Sequence, residues 1–164
     1  MDEQRDGEMH ADGKPQARSA GVEAEPPLPA GFSASGFAGG VKKSGLDMAL
    51  LFSDRPAVAG GVFTQNIVRA DCVERNSELI ERGGDFRAIF ANSGNANACT
   101  GLRGAEDSRS LARAASGLLS IEPEEVLLAS TGVIGVPLPV DRMLTALGRE
   151  EHMPHGEGLT DAAR

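Results

Sequence analysis

The spacing of apolar positions changes several times along the chain, and each change marks an element. Residues 126–129 are a short unbroken apolar run, the mark of a buried strand, and they end in Ser130-Thr131-Gly132. Downstream, Val140, Met143, Leu144 and Leu147 fall at i, i+3, i+4 and i+7 with Gly148 behind them, which predicts a helix that stops there. Apolar residues at 111, 112, 115, 118 and 119 predict another amphipathic helix over 105–119. Residues 77–83 read as a short helix capped by Ser77 and stopped by Gly83, and residues 87–91 as a strand. Closer to the N-terminus, residues 32–38 alternate loosely. The apolar runs 46–52 and 57–63 are separated by Ser53-Asp54-Arg55-Pro56, which predicts an antiparallel hairpin preceded by a Gly-rich strand. Strands first, then strand, helix, strand, helix: the order is that of a layered α/β protein.

Composition sets the limits of this domain. Residues 1–30 hold seven acidic and three basic residues, half of the net charge of −8, with four prolines and almost nothing large and apolar. Such a segment cannot bury enough surface to offset its ordering entropy, so it is expected to be a disordered acidic extension. The folded core is expected over 31–148, and 149–164 as a polar linker followed by the start of a helix that breaks off. With 21 glycines, few aromatics and no Trp or Tyr, the core must be built from aliphatic side chains and close backbone approaches. The acidic balance speaks against nucleic-acid and anionic-membrane partners. Cys72 and Cys99, without a CxxC, are expected to be reduced, packed thiols rather than zinc ligands or a disulfide. No run reaches the roughly 18 to 20 apolar residues of a membrane span, and the acidic N-terminus has no signal-peptide h-region, so the expectation is a cytoplasmic protein.

The chemistry is concentrated in small polar residues. A tight strand-to-helix turn at Ser130-Thr131-Gly132 would leave N–H groups pointing one way. Gly132 N–H and the Thr131 hydroxyl or N–H could then hold a developing negative charge as an oxyanion hole, or the three residues merely turn the chain. Residues 92–101, NSGNANACTG, supply many donors and acceptors with little volume, either for a ligand or as an Asx-rich turn that satisfies itself. His152 and His155, separated by Pro154 with no carboxylate or Cys cluster around them, read as a solvated linker rather than a metal site. Gly36, Gly39, Gly40 and Lys42 do not have phosphate-loop spacing. Lys42 is most simply a solvated strand end, or else meets a carboxylate. There is no G-x-S-x-G elbow and no histidine placed to serve as a catalytic base.

Taken together, these stretches resemble the glutamate N-acetyltransferases, also called ornithine acetyltransferases, of arginine biosynthesis. The matching residues run from Gly31-Phe32 through Gly36, Gly39-Gly40-Val41-Lys42, Asp47-Met48-Ala49-Leu50 and Gly61-Val62-Phe63-Thr64-Gln65-Asn66. They continue through NSGNANACTG at 92–101, STGVIG at 130–135 and Leu138-Pro139, so the likeness spans 31 to about 148. The departures are the long 1–30 extension and Arg69-Ala70-Asp71-Cys72, which stands where the family usually has a Pro-containing stretch.

The resemblance implies a layered αββα fold like that of N-terminal-nucleophile hydrolases, incomplete in this chain. It implies a precursor that cuts itself before a threonine, whose hydroxyl then acts as nucleophile with its own α-amine as base. Acetyl would pass in a ping-pong reaction from N-acetylornithine, or from acetyl-CoA as substrate, to that threonine and then to glutamate. No cofactor or metal is implied. Thr131 and Gly132 correspond to the oxyanion-stabilising pair. The family's Met-Ala-Thr cleavage motif is not found, so the chain is expected to be the N-terminal α-chain portion, inactive without a β-chain that carries the nucleophile and pairs with it in a hetero-oligomer. A self-cleaving aminopeptidase or amidase, and a non-catalytic remnant acting only as an interaction subunit, are the alternatives.

Overall fold

The computed structural model describes residues 27–156 and 158–163, so most of the expected extension at 1–30 lies outside the described residues. Four strands, β1 (Phe32–Phe37), β2 (Met48–Ala57), β3 (Phe86–Asn92) and β4 (Val126–Ser130), form one sheet in sequence order. β1, β2 and β3 are antiparallel neighbours, whereas β3 and β4 run parallel. A parallel pair needs a crossover, and the chain supplies one in α2 (Leu102–Leu119). α1 (Asp71–Arg82) and α3 (Val140–Leu147) complete the helical layer, and a short α4 (Leu159–Ala162) returns to β1. The α/β layered expectation is met by one sheet and its helices.

Period-two alternation decides which face is covered. Met48 and Leu50, Ala88 and Phe90, and Val126 and Leu128 point into one cluster with Leu111, Ala112, Ala115 and Leu119 of α2 and Met143, Ala146 and Leu147 of α3. The three helical alanines, Ala112, Ala115 and Ala146, let the helices approach the sheet closely. The opposite face is also apolar, through Leu51, Ile89, Ala91 and Leu127, but Ile89 remains 41% exposed there. α4 packs mainly against β1, and less against β2.

β4 is an edge strand, and its outer backbone groups are met by side chains of α1. Asn76 accepts from Leu128 N–H at 3.0 Å and donates to Leu128 C=O at 2.8 Å, as a neighbouring strand would. Arg75 donates to the carbonyls of Val126 and Pro123, both at 2.6 Å. An exposed edge invites pairing with another chain, and these contacts close this one.

Several expectations are corrected. No hairpin joins 46–52 to 57–63: β2 continues through Ser53-Asp54-Arg55-Pro56 to Ala57, with an irregular register against β3, and Val58 and Val62 beyond it are fully exposed. The supposed turn stays extended because Asp54 N–H bonds Gly31 C=O and Arg87 bonds the carbonyls of Ser53 and Asp54. α1 begins at Asp71 rather than near Ser77, with Ala70 as its N-cap, while Gly83 ends it as expected. Residues 149–156 are not a solvated linker. The His152 ring stacks on Phe37 at 4.2 Å and meets Ala146 C=O at 2.8 Å, and His155 pairs with Ala34 through both backbone groups. Small residues make room for this return: a Cβ on Gly36 would strike the Asp161 backbone, and one on Gly158 the Ala34 carbonyl. Both cysteines are free, but only Cys72 is packed; Cys99 is exposed.

Two stability measurements follow. Asn76→Ala, which leaves both Leu128 groups unpaired, is expected to lower the unfolding free energy by about 2 kcal/mol in urea titrations. Asp107 is 9% exposed, its Oδ2 has no hydrogen-bond partner, and burial pushes its carboxyl above the usual range, with Arg103 opposing. A carboxylate raised in the folded state contributes stability at low pH that is lost as pH rises from the ordinary carboxylate value through the folded one. Asp107→Asn is therefore expected to be more stable than the parent at pH 7 and equal to it at pH 3. A parent as stable as the variant at pH 7 would contradict this.

Candidate active site

Parallel pairing places the C-terminal ends of β3 and β4 side by side. The ladder ends with Asn92 opposite Ser130, and both loops of interest, 92–101 and 131–139, leave from that edge. They continue to pair: Thr131 N–H bonds Asn92 C=O at 3.0 Å, Ala96 N–H bonds Val133 C=O at 2.9 Å, and Val133 N–H bonds Gly94 C=O at 3.3 Å. Between those bonds the backbones cross so closely that a Cβ on Gly132 would lie 2.5 Å from Asn95 N and nearer still to the Gly94 carbonyl. Gly132 also has φ +132°, and Gly94 φ +102°. Only glycine meets both demands at Gly132.

The three residues of STG divide the work. Ser130 faces inward, where its hydroxyl accepts from Asn97 N–H at 2.8 Å and donates to Asn95 C=O at 3.2 Å. Thr131 is exposed and its hydroxyl makes no hydrogen bond among the described residues. Gly132 is also exposed, and its N–H finds no acceptor there. Two features differ from the expected turn. The Thr131 N–H is spent on Asn92, leaving the hydroxyl as that residue's donor, and α3 begins only at Val140, so Thr131 and Gly132 are not at a helix N-terminus.

The asparagine loop is built as an internal scaffold. Asn92 (3% exposed) donates to Asn95 C=O, and Asn97 (1% exposed) donates to Gly104 C=O and Ser108 Oγ while accepting from the Thr100 hydroxyl. Asn95 donates to Pro137 C=O across to the second loop, and its Oδ1 is buried without a donor. Of the readings open for this loop, self-satisfaction accounts for the Asn92 and Asn97 side chains. Asp71, at the start of α1, lies beside Thr100; burial first, then Glu74, raises its carboxyl, with the Thr100 hydroxyl and Arg109 opposing.

A cavity of about 210 Å³ opens beside Thr131. Asp47, Asn92, Ser93 and Thr131 line it, together with Asp161 and Ala162 of α4. Asp47, which drew no notice in the sequence as a functional residue, is 3% exposed and accepts from the backbone N–H groups of Gly39, Val41 and Lys42 at 2.5, 2.7 and 2.8 Å. Lys42 therefore meets a carboxylate through its backbone, and its ammonium forms no ion pair among the described residues. The arrangement offers two exposed neutral donors on adjacent residues, of which Thr131 lines the small cavity. Among the described residues no group of three His, Cys, Asp or Glu is placed to hold a metal ion, and no helix is long and apolar enough to cross a membrane.

Residues 33–163 match the ArgJ family. Curated relatives include the arginine biosynthesis bifunctional protein ArgJ of Caldanaerobacter subterraneus subsp. tengcongensis, 47% identical over 136 residues, which are 83% of this chain and 34% of that protein. The protein of the same name from Parasynechococcus marenigrum is 50% identical over 121 residues, 73% of this chain and 30% of that protein. The chain thus spans about a third of the length of the curated relatives it matches. Among solved structures, ornithine acetyltransferase of Mycobacterium tuberculosis, complexed with ornithine, has a TM-score of 0.77 at 42% identity, over 82% of this chain and 74% of that one. Arginine biosynthesis bifunctional protein ArgJ of Bacillus halodurans has a TM-score of 0.75 at 34% identity, over 80% of this chain and 69% of that one.

The crossing at Gly132 can be tested without any assay of activity. Gly132→Ala is expected to destabilise the chain by more than about 2 kcal/mol, because it adds a backbone clash to an unfavourable φ. Denaturant titration measures it, and a loss below about 0.5 kcal/mol would mean that the two loops separate freely.

Proposed function

This chain belongs to the ArgJ family, and from that premise we propose that it is the α-chain portion of an acetyltransferase that moves acetyl from N-acetylornithine to glutamate, with acetyl-CoA as a possible second donor. The observation that carries the reading is the pair of unspent donors on adjacent residues, the Thr131 hydroxyl beside the cavity and the Gly132 N–H next to it, with Gly132 fixed by the Gly94 crossing. In this reading the nucleophile is the N-terminal threonine of a β-chain. Its oxygen attacks the acetyl carbonyl, and the carbonyl oxygen, now negative, sits between the two donors. The bond to the ornithine nitrogen then breaks, with the proton returned by the threonine's own α-amine, and glutamate's amine takes the acetyl group from the resulting ester.

Preorganised donors of this kind act because they are fixed before charge develops and need no reorganisation at that moment. Nothing in the pair ionises near neutral pH, so the proton traffic belongs to the β-chain amine. Division of the polypeptide is supported by a difference in lengths. The stretch that amounts to a third of the curated relatives amounts to about three quarters of the solved ornithine acetyltransferase chain. The β-chain would lie against the sheet face opposite the helices, where Ile89 stands open, as the second sheet of an αββα sandwich. On that reading the α-portion alone is inactive, the precursor cuts itself, and the enzyme works in the cytoplasm with the other steps of arginine biosynthesis.

In the complete polypeptide, Thr131→Ala is expected to lower kcat for acetyl transfer from N-acetylornithine to glutamate by on the order of 10² to 10³, roughly 3 to 4 kcal/mol for one preorganised donor. A rate within threefold of the parent removes Thr131 from this role. Hydrolysis of amino-acid amides in place of acetyl transfer would favour the amidase alternative.

A further inference from the structure

Asp47 stands just before β2 and is buried, yet its side chain makes no hydrogen bond to the STG turn. Its carboxylate gathers the N–H groups of Gly39, Val41 and Lys42, closing residues 38–47 into a tight loop. Its backbone ties that loop to both neighbours: Asp47 N–H bonds Phe37 C=O, and Asp47 C=O accepts from Ser93 N–H at 2.9 Å. The loop's outer end then bears on the site. The Lys42 stem lies against Gly94 so closely that a Cβ there would come within 2.6 Å of Lys42 Cγ, and Val41 touches the same point. Gly94 is the residue whose backbone Gly132 crosses. The chain of contact therefore runs from the Asp47 carboxylate by a hydrogen bond to Lys42, and through van der Waals contact to Gly94 and on to Gly132.

We propose that Asp47 is a positioning residue for the Thr131 and Gly132 donors: its carboxylate folds the Gly39–Lys42 segment into a brace that presses Gly94 and Asn95 against Gly132. The inference rests on the oxyanion reading for its effect on catalysis, but the brace itself is a property of this chain. A buried carboxylate that accepts three backbone N–H bonds cannot be replaced by an amide without loss, since an Asn side chain brings one acceptor oxygen and an NH₂ that would face a donor.

The test has two arms. On this chain, amide hydrogen exchange of Asp47→Asn is expected to be at least about tenfold faster at Ala96 and Val133, the amides that join the two loops on either side of the Gly94 and Gly132 crossing, and unchanged at Phe90 and Leu128 in the strands. In the complete polypeptide, the same variant is expected to lower kcat for acetyl transfer about 10- to 100-fold with KM within about twofold. Asn76→Ala, which weakens the opposite side of β4, serves as the control and is expected to leave kcat unchanged. A merely structural role for Asp47 would speed exchange throughout the sheet and would match that control. Should Asp47→Asn fail to fold, Lys42→Ala removes the stem over Gly94 while keeping the backbone bond to Asp47, and the same two amides should loosen. Protection at Ala96 and Val133 equal to the parent overturns the proposal, and so does a kcat within threefold of an active parent. If the complete parent itself transfers no acetyl group, the oxyanion reading fails and the exchange arm still decides the brace.

Discussion

The parallel pairing of β3 with β4 is the constraint on which the site depends. Antiparallel neighbours send successive loops to opposite ends of a sheet, but a parallel pair sends both to the same end. Here that end carries the asparagine loop and the STG turn, and ligands of open α/β sheets are generally bound beyond the carboxyl ends of strands. The register matters as much as the direction. Because Asn92 faces Ser130, the ladder takes one further step, to the Thr131 N–H, before the backbones cross at Gly94 and Gly132. A shift of one residue would turn Ser130 outward and bury Thr131.

What keeps the two strands in this relation is the packing of α2, whose Leu111, Ala112, Ala115 and Leu119 cover Phe90, Val126 and Leu128. The first two turns of the same helix are anchored to the asparagine loop through Asn97, which bonds Gly104 C=O and Ser108 Oγ. The crossover helix and the loop that precedes it are thus one hydrogen-bonded unit. Buried side-chain amides are costly if any group is left unpaired, and Asn97 has its donors and its acceptor engaged. That explains why a loop so rich in asparagine is ordered although its side chains bring little hydrophobic surface.

Sequence pattern located the elements whose spacing is set by their own covered face. The periodic residues of α3 fall inside its observed bounds, and Gly148 ends it. β3 extends the expected run by one residue at each end, and β4 by one at its C-terminal end. Pattern misled wherever a distant contact decided. Residues 53–56 have the composition of a turn, yet Arg87 and Gly31 bond their backbones and keep them extended. The run at 57–63 is apolar but exposed, and apolar character alone does not say whether a covering partner exists. His152 and His155 are polar letters in a polar stretch, but Gly36 and Ala34 on β1 leave room for the backbone to return and pair. The STG turn was legible as a cluster of small donors. Which donor is spent was not, because it depends on the ladder continuing past the end of β4.

The site's composition follows from the kind of chemistry proposed for it. An oxyanion forms and vanishes within one catalytic cycle, so a fixed positive charge would bind ground-state anions as well as the transition state, whereas oriented neutral dipoles favour the charge only where it develops. Neutral donors have short reach, and their value falls quickly with misplacement. Their placement must then be rigid, and rigidity here comes from backbones in contact, which requires glycine at Gly132 and Gly94, rather than from long charged side chains with many rotamers. The charged groups nearby fit the same division: Asp47 is turned inward to backbone N–H groups, and the Lys42 stem packs on Gly94. Charge in this half of the site shapes the loops, and the groups that would meet the developing negative oxygen carry none.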